Sequence, residues 1–406
     1  MRKISLVAFG ASVIALAAVA GASAAGQKAA TALAGPSCST ATIGVTGPFT
    51  GPAASAGIDQ RNWARLFVTD WNSGKPIPGV PAGFKRTKIK TIEDDTQLNP
   101  QVAATVATQL RSNSAVVGVV GFSGSQEVVA GGPILRRGGM VFISGSATRA
   151  SLTDPTSSDG QGLKTGYFYR VVPNDNFQSV VDATFALKKM GVKSGDHVMT
   201  VDQAEAYSVP LIAAISSQLQ KAGVVVDHES QPATQTDFTS LANKAVGEHV
   251  TAVILASQVA SNAQLFAQQL KAAGYTGAFL GTDGTFDATK FTFPGAYVST
   301  FSLDVNKIPA DATIAAQFTK SFGPTNNFGP PTWVATQMLA MAISKACSDG
   351  KISRNEVRRD VPTISLKTSL LGHPIGFQKD GDQLGGVSFT VFQIQSDGSY
   401  KVVQPG

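Results

Sequence analysis

The chain has 406 residues, of which 43% are hydrophobic and only 15% charged, against roughly 25% charged in ordinary soluble domains. So much apolar side chain excludes a disordered or collagen-like chain, and the length implies about two domains. The formal net charge of +6 invites a nucleic-acid partner. The basic runs at 85–90 and 354–359 carry no interleaved aromatic residues for base stacking, however, and they read as solvated faces.

The N-terminus opens with Arg2 and Lys3, an apolar stretch over 4–20 and Ala22-Ser23-Ala24, the pattern of a secretory signal cleaved after Ala24. An Ala/Gly/Ser-rich leader follows at 25–37. No later segment reaches the ~18–20 apolar residues of a membrane span, so an exported, water-soluble chain is expected. In that setting Cys38 and Cys347, the only cysteines, read as a disulfide. The alternative makes Cys38 the acylated first residue of a lipoprotein; it fits less well, because Gly35-Pro36-Ser37 stands in place of a Leu-type lipobox. His197, His228, His249 and His373 lie far apart with no partner at ligand spacing, so neither a metal centre nor a cofactor is expected.

Residues 41–46 predict a strand running into a Gly/Pro loop at 47–57. A helix at 58–72 follows, with Trp63, Phe67 and Trp71 four apart on one face. A second strand is expected at 88–92, then a helix opened by Pro100 in which Val102, Val106 and Leu110 repeat at the same spacing. The run AVVGVVG at 115–121 has no polar alternation and predicts a strand buried on both faces; 140–143 predicts another. The same grammar restarts after Pro173. Helices at 177–190, 209–222, 238–246 and 260–273 alternate with strands at 197–201, 224–228, 251–256 and 278–281. Such alternation implies right-handed βαβ units, and the break at 171–174 implies an α/β fold of two doubly wound, parallel-sheet lobes. The tail departs from it, with helices at 311–322 and 332–347 and a capping box at Ser353 and Glu356. Two strands around Ser396-Asp397-Gly398-Ser399 then predict a hairpin within 386–403 that returns to an earlier sheet.

Catalytic signatures are missing or incomplete. There is no phosphate loop of the G-x-x-x-x-G-K-[ST] type and no G-x-G-x-x-G after a strand. Gly121-Phe-Ser-Gly-Ser125 approaches a serine elbow, but Ser125 replaces the final Gly and no histidine is assigned as base. Glu93, Asp94 and Asp95 are adjacent on a strand, so neighbours point to opposite faces and make a poor acid–base pair. What remains is a set of small hydroxyl residues at strand C-terminal ends: Ser123 and Ser125 after one strand, Ser144, Ser146 and Thr148 after the next. Open α/β sheets bind ligands there, and helix N-termini favour an anionic group such as a carboxylate. Each residue alone is equally a turn or cap former, which leaves both readings open.

Four motifs in order resemble the periplasmic leucine/isoleucine/valine-binding proteins, solute receptors of branched-chain amino acid ABC transporters. They are Ile43-Gly-Val-Thr-Gly-Pro-Phe-Thr-Gly51, Glu93-Asp-Asp95 followed by Asn99-Pro-Gln101, Thr332-Trp-Val-Ala335 with Leu339-Ala-Met-Ala-Ile343, and Leu371-Gly-His-Pro-Ile-Gly-Phe-Gln-Lys-Asp-Gly-Asp382. The resemblance implies two α/β lobes on a three-segment hinge, lobe 1 from 38–172 plus 302–386 and lobe 2 from 173–301 plus 387–406. Cys38 and Cys347 would then share a lobe, which favours their pairing. It also implies that Ser125, Ser146 and Thr148 hold an α-carboxylate, with the Ser146 carbonyl and Thr148 hydroxyl also in reach of the ammonium. Tyr207 is implied as a cleft aromatic and Asp283 as the ammonium acceptor. Ala56 and Gln258 stand where the family has aromatic residues, so a larger or more polar pocket is expected. Ser208 replaces a Gly and Gln378 an Asp, the latter read as drift at a turn, while Trp333 is expected to pack its helix. The expected protein is a monomeric, non-catalytic receptor that delivers an amino acid, or a related small amide or carboxylate, to a membrane permease. Two alternatives are a sensory receptor of the same fold and an exported serine hydrolase using Ser123 or Ser125.

Overall fold

The computed structural model describes residues 38–301, 304–348, 350, 352–385 and 389–404. The secretory signal and leader expected over residues 1–37 lie outside them. The chain begins with β1 (Thr40–Gly47), α1 (Ala54–Asn72), β2 (Lys88–Asp95), α2 (Pro100–Ser112), β3 (Val116–Val120), α3 (Ser125–Arg137), β4 (Val141–Ser144), α4 (Ser158–Leu163) and β5 (Phe168–Arg170). These five strands form one parallel sheet in the order β2-β1-β3-β4-β5. Next come α5 (Asp175–Lys189), β6 (His197–Asp202), α6 (Ser208–Lys221), β7 (Val225–Ser230), α7 (Thr239–Gly247), β8 (Ala252–Leu255), α8 (Ala260–Ala272), β9 (Ala278–Gly281) and β10 (Tyr297–Thr300). After α9 (Ala312–Phe322), α10 (Gly329–Ser348) and α11 (Arg354–Asp360), the hairpin of β11 (Thr390–Ile394) and β12 (Tyr400–Gln404) completes the chain. The second sheet runs β12-β11-β10-β9-β8-β6-β7. Its two hairpin strands are antiparallel and the rest parallel.

Both sheets are apolar on two faces, as strands covered by helices on each side must be. Val141 and Ile143 of β4 join a core with α1 and α10, while Phe142 joins another with α2 and α3. In β8, Val253 and Leu255 face one cluster and Ala252 and Ile254 the other. The three-turn aromatic stripe of α1 meets α10: Trp333 stands edge-on to Trp63 and Phe67, with ring centroids 5.9 and 5.2 Å away. Asp59 of α1 fixes where α10 starts. Its buried carboxylate accepts the Gly329 N–H at 2.6 Å and the Asn326 N–H at 3.3 Å, meeting donors that no helix carbonyl can take.

The chain passes between the sheets after β5, after β10 and before β11. One buried cation joins the first passage to the third. Arg170, fully buried at the end of β5, donates from Nε to Asp382 Oδ1 at 2.6 Å and from its Nη atoms to the carbonyls of Ala147 and Arg149 and to the Thr153 hydroxyl. Asn174 donates to the other Asp382 oxygen at 2.7 Å.

Four elements have no counterpart in the sequence reading: α3, the short α4, β5 and β10. Helix α3 was not expected, because Gly131-Gly132-Pro133 inside it looks like a breaker. The glycines answer to space instead: a Cβ on Gly131 would lie 2.5 Å from the Phe122 ring, and one on Gly132 2.3 Å from Leu163. Strands β5 and β10 are too short, at three and four residues, to show a period.

Cys38 and Cys347 are joined, 309 residues apart in sequence. The denatured, unreduced protein should therefore show no free thiol, and reduction should lower its unfolding free energy by about 2–4 kcal/mol. Asp382→Ala, which leaves the Arg170 charge buried without its carboxylate, should cost about 3–5 kcal/mol in denaturant unfolding.

Candidate functional site

The loops at the C-terminal ends of β1, β3 and β4 face those of β6, β8 and β9 across a cavity. Ala56, Gln60, Ser123, Ser125 and Ser146 line it from the first side, and Tyr207, Gln258, Asp283 and Gly284 from the second. Thr148 does not border it; the residue is buried and its carbonyl accepts the Asp175 N–H at 2.9 Å. A larger, more open groove lies at the opposite end of the second sheet, beside Lys271, Tyr275 and Phe293. It adjoins the N-terminal ends of β8, β9 and β10, away from the ends where open α/β sheets hold ligands.

On the first side Ser125 is the first residue of α3, and its Oγ accepts the Arg149 N–H at 3.3 Å. Ser146 Oγ donates to the Ser123 carbonyl at 2.9 Å and accepts Gln60 Nε2 at 2.8 Å, while the Ser123 hydroxyl donates to Gln60 Oε1. Gln60 was missed in the sequence, yet it lies one helical turn after Ala56 and so shares its face. The first N–H groups of α3 lack helix carbonyls, and with the helix dipole they favour an anion at this point. Neither Ser123 nor Ser125 is hydrogen-bonded to a basic side chain, so the arrangement of a serine nucleophile with its base is not formed. Glu93 and Asp95 hold structure: Glu93 takes both guanidinium arms of Arg65 at 2.6 Å, and Asp95 accepts the Phe49 N–H at 2.8 Å, fixing the loop after β1.

On the second side Asp283 follows β9 in a short 3-10 turn and is buried. The Tyr207 hydroxyl bonds it and also the Thr282 hydroxyl, the latter at 2.7 Å. Burial pushes the Asp283 carboxyl up to about 6, against the pull of the Tyr207 hydrogen bond. Gly284 is required by proximity, since a Cβ there would lie 2.3 Å from the Ser257 carbonyl. Gln258 spans the cavity: its Nε2 donates to Glu205 Oε2 at 2.9 Å and to Gln126 Oε1, on the first side, at 2.8 Å. Arg149 reaches across to the Ala206 carbonyl at 2.6 Å, and Ser55 to Asp287. The two sides are thus closed on each other. Glu205 and Gln126 are further residues absent from the sequence reading, for which spacing carried no signal.

The model of the periplasmic binding protein family matches residues 40–399. The chain belongs to that family. This periplasmic binding protein is 26% identical over 311 residues to an amino acid binding protein of Pseudomonas aeruginosa, covering 75% of this chain and 78% of the relative. It is 24% identical over 368 residues to a leucine-specific-binding protein of Salmonella typhimurium, covering 89% and 93%. Among solved structures, a fatty acid ABC transporter substrate-binding protein from Thermomonospora curvata superposes with a TM-score of 0.77 at 18% identity, covering 91% of this chain and 93% of that one.

Buried acids give this binding protein an unusual pH response. Burial raises Asp283 to about 6, Glu127, which accepts the Gly124 N–H, to about 7, and Asp175 to about 8. The native state then binds protons that the unfolded chain, with carboxyls near 4, has released. Stability should be greatest in mild acid and fall as pH rises through these values. Unfolding of the solute-free protein should occur at higher temperature at pH 5.5 than at pH 8.

Proposed function

We propose that this protein is an exported receptor that captures a zwitterionic amino acid between its lobes and presents it to a membrane ABC permease. The reading rests on one juxtaposition: an anion seat at Ser125, Ser146 and the start of α3 opposite the carboxylate of Asp283, within a single cavity. An α-amino acid brings the matching pair of charges. Amino acid and leucine binding by the named relatives supports the same class. The side-chain end of the cavity is bounded by Ala56 and Gln258, which favours a solute with more room or polarity than leucine requires.

The solute would act by differential affinity. Charged groups on both sides are satisfied together only when the lobes close, so the solute stabilises the closed form that a permease can recognise. Ala56, seated against the core of the second lobe, lets that approach be close.

A thermal-shift panel of amino acids, amides and short carboxylates should give a responding amino acid, with about 2.7 kcal/mol of added stability at a hundred times its Kd. Asp283→Asn should then weaken binding by about one to two decades, since a charge-assisted bond is worth roughly 1.5–3 kcal/mol. Ser125→Ala should cost less, because the α3 N–H groups remain. Asp283→Asn binding within twofold of the parent would defeat the ammonium assignment.

A further inference from the structure

Gln258 follows β8 and borders the cavity from the second side. An amide turned end for end keeps its outline, so which end faces which way is decided by its partners. Here two of them agree. Glu205 already accepts the backbone N–H groups of Tyr207 at 2.7 Å and of Ser208 at 3.0 Å, and its carboxylate can only accept from Gln258 as well. Gln126 donates its own Nε2 to the Leu98 carbonyl at 3.4 Å, which turns its Oε1 towards Gln258. The Gln258 nitrogen has two hydrogens, and these two acceptors take both. Its Oε1 is left over as an acceptor, and among the described residues no donor meets it. That oxygen stands against Gly124, between the cavity residues Ser123 and Ser125; a Cβ on Gly124 would lie 3.0 Å from it. Much of the remaining wall, Pro48, Ala53, Ala56, Leu98 and Phe328, is apolar. The Glu205 oxygens are engaged by three N–H groups, so a cationic side chain would give up its water with no free carboxylate to meet. What the leftover oxygen lacks is a neutral donor.

We infer that Gln258 Oε1 is a specificity contact, which selects an amino acid whose side chain ends in an amide or hydroxyl donor over an apolar side chain of the same shape. This rests on the amino-acid reading and deepens it, adding an uncharged third point of recognition to the two charged ends. The amide is held from both sides of the cavity, by Gln126 on the first and Glu205 on the second, so its orientation is complete only in the closed form. An apolar solute would close the site over an acceptor with neither water nor a partner. A site built to bond a donor rejects the analogue that lacks it for that reason.

The test is calorimetry on the whole protein with pairs of L-amino acids of matched shape and increasing reach: threonine and valine, asparagine and leucine, glutamine and methionine. In at least one pair the parent should bind the donor-bearing member about tenfold or more tighter than its apolar partner. Gln258→Met keeps the length of the side chain and removes the acceptor, and should bring that ratio below about threefold; Gln258→Ala, which only opens space, should do the same. The ratio is the readout because weakened closure or partial unfolding lowers both members of a pair together. A parent in which no donor-bearing member exceeds its partner tenfold, or a ratio that survives both substitutions, overturns the selectivity and leaves the amino-acid receptor standing. Failure of every amino acid to bind the parent overturns the amino-acid reading and this contact with it.

Discussion

The Arg170 guanidinium is the joint on which the binding region depends. Its Nη1 holds the carbonyls on either side of Thr148, its Nη2 the Thr153 hydroxyl, and its Nε holds Asp382. The loop after β4, the end of β5, the passage at Asn174 and the segment near Gly381 thereby share one charged centre. A flexible chain could not keep Ser146 against Gln60 and Ser123 to within hydrogen-bond tolerance by loop contacts alone. A fully buried cation with every donor directed can, because any slip would leave a donor unmet at low dielectric. The site is therefore set from behind, by a group that does not line the cavity.

The same logic explains the polar interior nearby. Parallel sheets place their strand ends, with the free dipoles of helix starts, on one edge, and two such edges facing each other enclose charge. Gln60 and Gln258 answer some of it with neutral amides, one within the first side and one across the cavity. Asp175, Asp182, Asp283 and Glu205 leave an acidic remainder on the second side, opposite the positive start of α3. Polarity across the cavity is thus built into the fold before any solute arrives.

Much of this could be read from residues. The alternation of apolar runs with helical periods located most strands to within a residue or two, and β9 at its observed bounds, because parallel strands are apolar throughout and helices keep their own period. The motifs that carry the family resemblance led to Ala56, Ser125, Ser146, Tyr207, Gln258 and Asp283, all of which border the cavity. Thr148 was placed one layer too near the solute space, and Gln60, Gln126 and Glu205 were not seen. Their roles come from distances between lobes, which no local spacing encodes. Helix α3 was lost for a related reason: Gly131 and Gly132 are dictated by the Phe122 and Leu163 side chains packed on them, and in sequence they look like a turn.

The Cys38–Cys347 bond joins the entrance of β1 to the end of α10, and both elements pack on the first sheet. It therefore spans no hinge, and closure neither stretches nor relaxes it. The last strand, β12, belongs to the other sheet. The two extremities of the described chain ride on opposite lobes, one pinned covalently and the other only by a β ladder. The distance between them is a built-in gauge of how far the jaws stand apart, and a force applied between the ends would load the hinge while sparing the disulfide.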